Sequence, residues 1–217
     1  NAEHYYVRNN GAKVFDIQFT SNPSGASPLE GKTVTVTGIV TASTKLYDLG
    51  YVYIQDEGGA EWSGIWCVGI GLSSLYRDEE VTVTGIVEEY FGFTRLNVSS
   101  ATKTGNRAVI TPTVIDPTDS AAYANFGWEK WEGVYARYEH PTAGQKLWIS
   151  QPNLGFGDYA VGASSSAPIS QSGRILAGRQ ATTAYSSLFV QLIVDTTNFN
   201  YAVLDGFMNV PPIVVNN

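Results

Sequence analysis

The sequence predicts an all-β protein: two tandem β modules, the first a small closed barrel, flanked by extended N- and C-terminal arms. Three observations predict it. Short runs of β-branched and aromatic residues recur about every ten residues, separated by Gly-, Asn- and Asp-rich turns. The heptapeptide Val-Thr-Val-Thr-Gly-Ile-Val occurs twice, at 34–40 and 81–87, and alternates as a half-buried strand does. Only two short stretches, around Leu72–Tyr76 and Ser120–Phe126, read as helix. With 217 residues, 43% of them hydrophobic, the chain can bury a sizeable core.

The elements follow in order. Residues 1–15 read as an extended arm whose β-prone side chains are Tyr5, Tyr6, Val7, Val14 and Phe15. Residues 16–117 read as the first module, a small β-barrel, which the resemblance given below makes an OB-like five-stranded one, with strand signals at 34–40, 51–55, 64–68, 81–87, 94–98 and 109–110. Gly38 and Gly85 sit inside the two copies of the repeat, where a mid-strand glycine marks a bulge or a bend. Turns are expected at Asp56–Gly59, Gly69–Gly71, Tyr90–Phe93 and Thr104–Asn106. Residues 118–127 read as a linker, 128–209 as a second β module and 210–217 as an extended tail. In the second module the strand signals are Trp128–Tyr138, Lys146–Ser150, Asp158–Val161, Leu188–Val194 and Tyr201–Leu204, with a Gly/Ser/Ala-rich loop at 162–171.

The stretches Gly31–Thr41, Gly50–Asp56, Gly64-Ile65 and Glu80–Leu96 together resemble an OB-fold module. The resemblance covers about residues 14–116. It is to the OB-like modules attached to bacterial secreted endonucleases and to Bacteroidota-type surface proteins. Residues 129–197 resemble, less closely, the region that follows in those nucleases, but no nuclease catalytic domain is present. The second module also lacks a counterpart of Glu80–Leu96, so it is expected to be an incomplete OB-like or sandwich unit with an open edge.

Composition narrows the function. Lys and Arg number 13 against 20 Asp and Glu, a net charge of −7, the wrong sign for a surface that holds nucleic acid through phosphates. The single Cys67 excludes an intramolecular disulfide and a cysteine-built metal site, and the two histidines, His4 and His140, leave little for His-based catalysis. The pairs Glu79/Glu80 and Glu88/Glu89 are adjacent on strands, point to opposite faces and read as solvated edges. The acidic run Asp56–Glu61 does not match an EF-hand loop and reads as a hairpin turn. No catalytic, cofactor or metal set is expected, and no run of 18 apolar residues spans a membrane. The chain begins at Asn1 without a signal peptide, which reads as a processed, secreted product.

Two function classes remain. The first is a secreted, non-catalytic structural protein: a homo-oligomer or helical filament in which one molecule's N-terminal arm fills the open sheet edge of the next. The C-terminal tail, with Pro211 and Pro212, is the poorer donor. Acceptor patterns for attached glycans occur at Asn97 (Asn-Val-Ser), and at Ser120 and Thr196, whose Asp-Ser and Asp-Thr contexts resemble O-glycosylation sites of Bacteroidota. The alternative is an accessory OB-type module for single-stranded nucleic acid or glycan. Its ligand face would be Tyr53, Trp66, Tyr90, Phe93 and Arg95, with Tyr51 and Phe91 beside them.

Overall fold

The computed structural model describes residues 12–45, 51–59, 61–90, 92–114, 129–136 and 142, and, as backbone, the remaining strand residues between 115 and 204. Strands β1 (Thr33–Ala42), β2 (Val52–Gln55), β3 (Gly64–Gly69), β4 (Glu79–Tyr90) and β5 (Phe93–Arg107) close into a barrel in the order β1-β2-β3-β5-β4. β1 is antiparallel to both β2 and β4, and β3 runs parallel to β5. This is an OB-like barrel.

Period-2 alternation sends Val36, Val81, Val83, Leu96 and Val98 inward, where they meet Ile54, Ile65 and Cys67 from β2 and β3. The intervening threonines face out. Thr35 Oγ1 and Thr84 Oγ1 hydrogen-bond across the β1–β4 seam at 2.8 Å, as do Thr37 and Thr82. The expected bulge occurs at Gly85, where the β4–β5 register shifts; a Cβ there would lie 2.8 Å from the Asn97 carbonyl carbon. In β1 the irregularity falls at Val40/Ala42, not at Gly38, which keeps its register with Val81.

Three expectations change. Val14 and Phe15 do not continue an extended arm: they open helix α1 (Val14–Gln18), with Val14 and Ile17, one turn apart, buried in the barrel core. Asp56 makes this helix possible by accepting the N–H groups of Val14 and Phe15, both at 3.0 Å, which a helix start leaves without partners. Thr104–Asn106 is not a turn. β5 runs through it because Thr104 Oγ1 and Asn106 Nδ2 donate to the Glu80 carboxylate across the ladder, at 2.5 and 2.8 Å. Val109-Ile110 lies between strands rather than in one. The helical expectation at Leu72–Tyr76 is met by a 3-10 turn at Leu72–Ser74; that at Ser120–Phe126 lies outside the described residues.

The other strands form two open sheets. They are β6 (Thr113–Ile115), β7 (Tyr135–Glu139), β8 (Leu147–Gly155), β9 (Asp158–Gly162), β10 (Arg174–Leu176), β11 (Ala184–Tyr185), β12 (Ser187–Asp195) and β13 (Tyr201–Leu204). One sheet has the order β10-β13-β12-β7-β6 and the other β11-β8-β9. Trp131–Val134, expected within a strand, instead forms a 3-10 turn (Glu129–Trp131) and a tight bend at Gly133 before β7 starts. That bend packs against the barrel. Gly133 adopts φ +67° and touches Gly64 backbone to backbone; a Cβ on either would collide with the other's main chain. No helix among the described residues is long and apolar enough to cross a membrane.

Candidate functional site

Strand registers assemble an aromatic face. Tyr53 of β2 stands opposite Trp66 of β3, Trp66 opposite Arg95 of β5, and Arg95 opposite Glu88 of β4. Residues opposite one another share a face, so these four form one row across the outside of the barrel. Tyr90 and Phe93, the last and first residues of the β4–β5 hairpin, close the row's end. Trp66 is the hub. Edge-to-face contacts place Tyr51, Tyr90 and Phe93 at 5.9, 6.0 and 6.2 Å from it. The Arg95 guanidinium lies 3.8 Å from the Tyr90 ring centroid and 5.3 Å from that of Trp66.

The five residues of the expected ligand face thus come together, with one difference. Tyr53 is only 1% exposed and packs with Ala42 against Trp66 and Phe93, so it supports the face rather than presenting itself. Tyr51 and Tyr90 are the exposed rings, at 43% and 42%. Nε1 of Trp66 is buried and makes no hydrogen bond.

The electrostatics of the face are self-contained. Arg95 donates Nε to Glu88 at 3.0 Å and pairs with it through its terminal nitrogen at 2.9 Å. The Asn97 amide, at 2.8 Å, and then Arg95 hold the Glu88 carboxyl below its ordinary range. Lys45 donates to the Ser73 carbonyl at 2.6 Å and sits over Tyr76; Lys103 pairs with Glu79 at 2.8 Å. Cys67 is buried in the barrel core, and burial pushes its thiol up to about 12. Asn97, the glycan acceptor candidate, is exposed in mid-β5 with its amide on Glu88. Tyr5, Tyr6, Val7, Ser120 and Thr196 lie outside the described residues, as do His4 and His140.

A second cluster was not visible in the sequence. Glu89 was expected on a solvated edge, but its carboxyl turns under the barrel and accepts from Ser27 N and Thr94 Oγ1, both at 2.8 Å. Glu129 and Glu132, from the turn that packs on β3, are buried beside it. Glu132 Oε1 accepts from Thr94 N at 2.9 Å and Gln18 Nε2 at 3.3 Å. Gln18 also donates to the Gly64 carbonyl at 2.7 Å.

These features define the class: a β protein built on an OB-like barrel with a ring-lined outer face. No family model and no curated protein matches the chain. Among solved structures it is similar to OBody AM1L10 bound to hen egg-white lysozyme, with 24% identity over 44% of this chain and 93% of that one, TM-score 0.31. It is similar to OBody AM3L09 bound to the same lysozyme, with 22% identity over 45% and 95%, TM-score 0.32. It is also similar to asparaginyl-tRNA synthetase from Pyrococcus horikoshii, with 21% identity over 39% of this chain but only 22% of the synthetase, TM-score 0.29.

Proposed function

We propose that this chain is a non-catalytic interaction protein whose barrel takes a neutral, ring-bearing ligand, a glycan, on the face centred on Trp66. The observation that carries this reading is the pairing of Arg95 with Glu88: the face offers rings, while its central cation is already committed. Single-stranded nucleic acid needs stacking platforms and also a groove of available cations to replace condensed counterions. Sugar rings need only aromatic surface and a few polar partners. The resemblance of residues 14–116 to OB-like modules that accompany secreted bacterial endonucleases and surface proteins supports an accessory role. Titration of tryptophan fluorescence with neutral oligosaccharides should give saturable binding that Trp66→Ala abolishes. Oligonucleotides should bind more weakly than about 10 µM at physiological salt, the range of non-specific contacts. A sub-micromolar, salt-sensitive oligonucleotide complex lost in Arg95→Ala would overturn the reading in favour of nucleic acid.

The open sheet favours a second reading. Unlike the barrel, the order β10-β13-β12-β7-β6 leaves two edges among the described residues, and an edge is a template for a strand from another molecule. In this reading the chain is a secreted subunit of an extracellular fibre, with residues 1–11, carrying Tyr5, Tyr6 and Val7, as the donor strand. Glycans at Asn97, Ser120 or Thr196 would then decorate it. Electron microscopy of the full chain and of a chain lacking residues 1–11 tests this: filaments in the first and dispersed protein in the second support it. A full-length chain that stays monomeric at high concentration refutes it.

A further inference from the structure

Two buried glutamates, Glu129 and Glu132, and a half-buried third, Glu89, serve neither the barrel core nor the aromatic face. Glu89 comes from β4, and Glu129 and Glu132 from a turn about forty residues further along the chain. Glu129 Oε2 and Glu132 Oε2 are both buried with no hydrogen-bond partner among the described residues, although their residues are 95% and 98% removed from solvent. The Glu129 carboxyl fills the space over Gly25, where a Cβ would come within 2.6 Å of it.

What faces the cluster is acidic or neutral. β4 contributes Glu89, β5 the Thr94 N–H and hydroxyl, and α1 the Gln18 amide. The 19–32 segment contributes the Ser27 N–H and the charge of Glu30. Lys130, on the same turn, reaches away to Glu61 at 2.7 Å. Among the described residues no three carboxylate, imidazole or thiol groups are arranged to hold a metal ion. An ionised carboxylate this deep, with two like neighbours and no cation among the described residues, is strongly disfavoured. A proton removes the charge and turns an orphaned oxygen into a donor for its neighbour.

We propose that Glu89, Glu129 and Glu132 form a proton-operated latch, which clamps the 129–134 turn to the barrel while the cluster is protonated and loosens when the proton passes to water. Burial, reinforced by the neighbouring carboxylates, pushes Glu129 up to about 8 and Glu132 well above its ordinary value, and burial raises Glu89. The folded cluster therefore keeps protons that the unfolded chain has released above about pH 4.5. Where the native state binds more protons, stability falls as pH rises, so the latch weakens between about pH 4.5 and about pH 8. The turn runs directly into β7, so loosening it loosens the start of that strand, where Tyr135 N donates to Gln55 Oε1 of the barrel.

The test is amide hydrogen exchange on the full chain at about pH 5.5 and about pH 8.5, corrected for intrinsic exchange. The reporters are the N–H groups of Trp62, Glu132 and Tyr135, bonded to Lys130 O, Glu129 O and Gln55 Oε1 respectively. Their protection should fall at least tenfold between the two conditions, the factor carried by one unit of pKa difference, while Val83 in the barrel seam keeps its own. Glu129→Gln and Glu132→Gln should each flatten the dependence. Either variant suffices if the other fails to fold. Equal protection at both conditions, or an undiminished fall in the glutamine variants, overturns the proposal. So does full protection restored at about pH 8.5 by calcium, because the cluster would then be a cation site.

Discussion

Replacing Gly64 with alanine should separate the barrel from the turn that follows residue 128. The added Cβ would enter the van der Waals shell of the Gly133 carbonyl oxygen and lie 2.6 Å from the Val134 nitrogen. Both obstacles are backbone and cannot rotate away, so the two segments must part. Overpacking of this kind costs about 1–3 kcal/mol. Parting them also stretches Thr94 N to Glu132 Oε1 and Tyr135 N to Gln55 Oε1, both now 2.9 Å, each worth about 0.5–1.5 kcal/mol. The sum is about 2–6 kcal/mol, capped by the free energy of docking, because the chain can escape the overlap by lifting the turn. For a protein of this length that lowers Tm by about 4–24 °C. Thermal unfolding by circular dichroism, with urea titration beside it, measures the change. Gly58→Ala is the control. Gly58 has φ +67° but nothing within 4 Å of a Cβ, so it incurs only the left-handed backbone cost of about 1 kcal/mol. Gly133→Ala should be more harmful than Gly64→Ala by the left-handed backbone cost at φ +67°, about 1 kcal/mol, and the double variant little worse than Gly133→Ala, since both break one contact. If Gly64→Ala costs no more than Gly58→Ala, or if the two losses add, the glycine contact is not what holds the turn.

Two further outcomes follow from buried groups. Cys67 should resist alkylation by iodoacetamide at about pH 8 in the folded protein and react only on unfolding, because a buried thiol pushed up to about 12 offers no thiolate; fast labelling without unfolding would contradict this. Asp56→Ala strands the N–H groups of Val14 and Phe15 and should cost about 2–4 kcal/mol by urea unfolding, against little for Glu57→Ala on the exposed turn beside it. Equal effects would mean that α1 does not depend on Asp56.

The barrel was legible because its information is local. Alternation over Val34–Val40 and Val81–Val87 sets inside and outside, Gly85 places the bulge, and Gly92 with its neighbours turns the hairpin. The ring-lined row was legible too, once β2, β3 and β5 were aligned. Helix α1 was not, because five residues are too few to show a helical period and its start is capped by Asp56, forty-two residues distant. The acid cluster was hidden for the same reason. Glu89 falls in phase with the inward-facing Val83 and Val87 at the end of β4, and only the arrival of Glu129 and Glu132 from a distant turn makes a cluster of it. Trp131-Glu-Gly-Val134 carries strand-forming residues, but Gly133 uses its positive φ to bend, and the strand starts only at Tyr135.

The repeated heptapeptide pairs with its own copy about a local twofold. Thr35 meets Thr84, Val36 meets Val83 and Thr37 meets Thr82, so the second, third and fourth residues of one copy face the fourth, third and second of the other. Val34 faces Gly85 and Gly38 faces Val81, which completes the symmetry. Such a strand is a palindrome in hydrogen bonds: it accepts itself in antiparallel register with the same hydroxyl bridges and the same buried valines. Within one chain the partner is 47 residues away, and closing that loop carries an entropic cost. Between chains the cost depends on concentration alone. An unclosed barrel therefore meets a correct-looking partner in every neighbour, and crowding during synthesis or refolding sets how often the seam closes within one molecule.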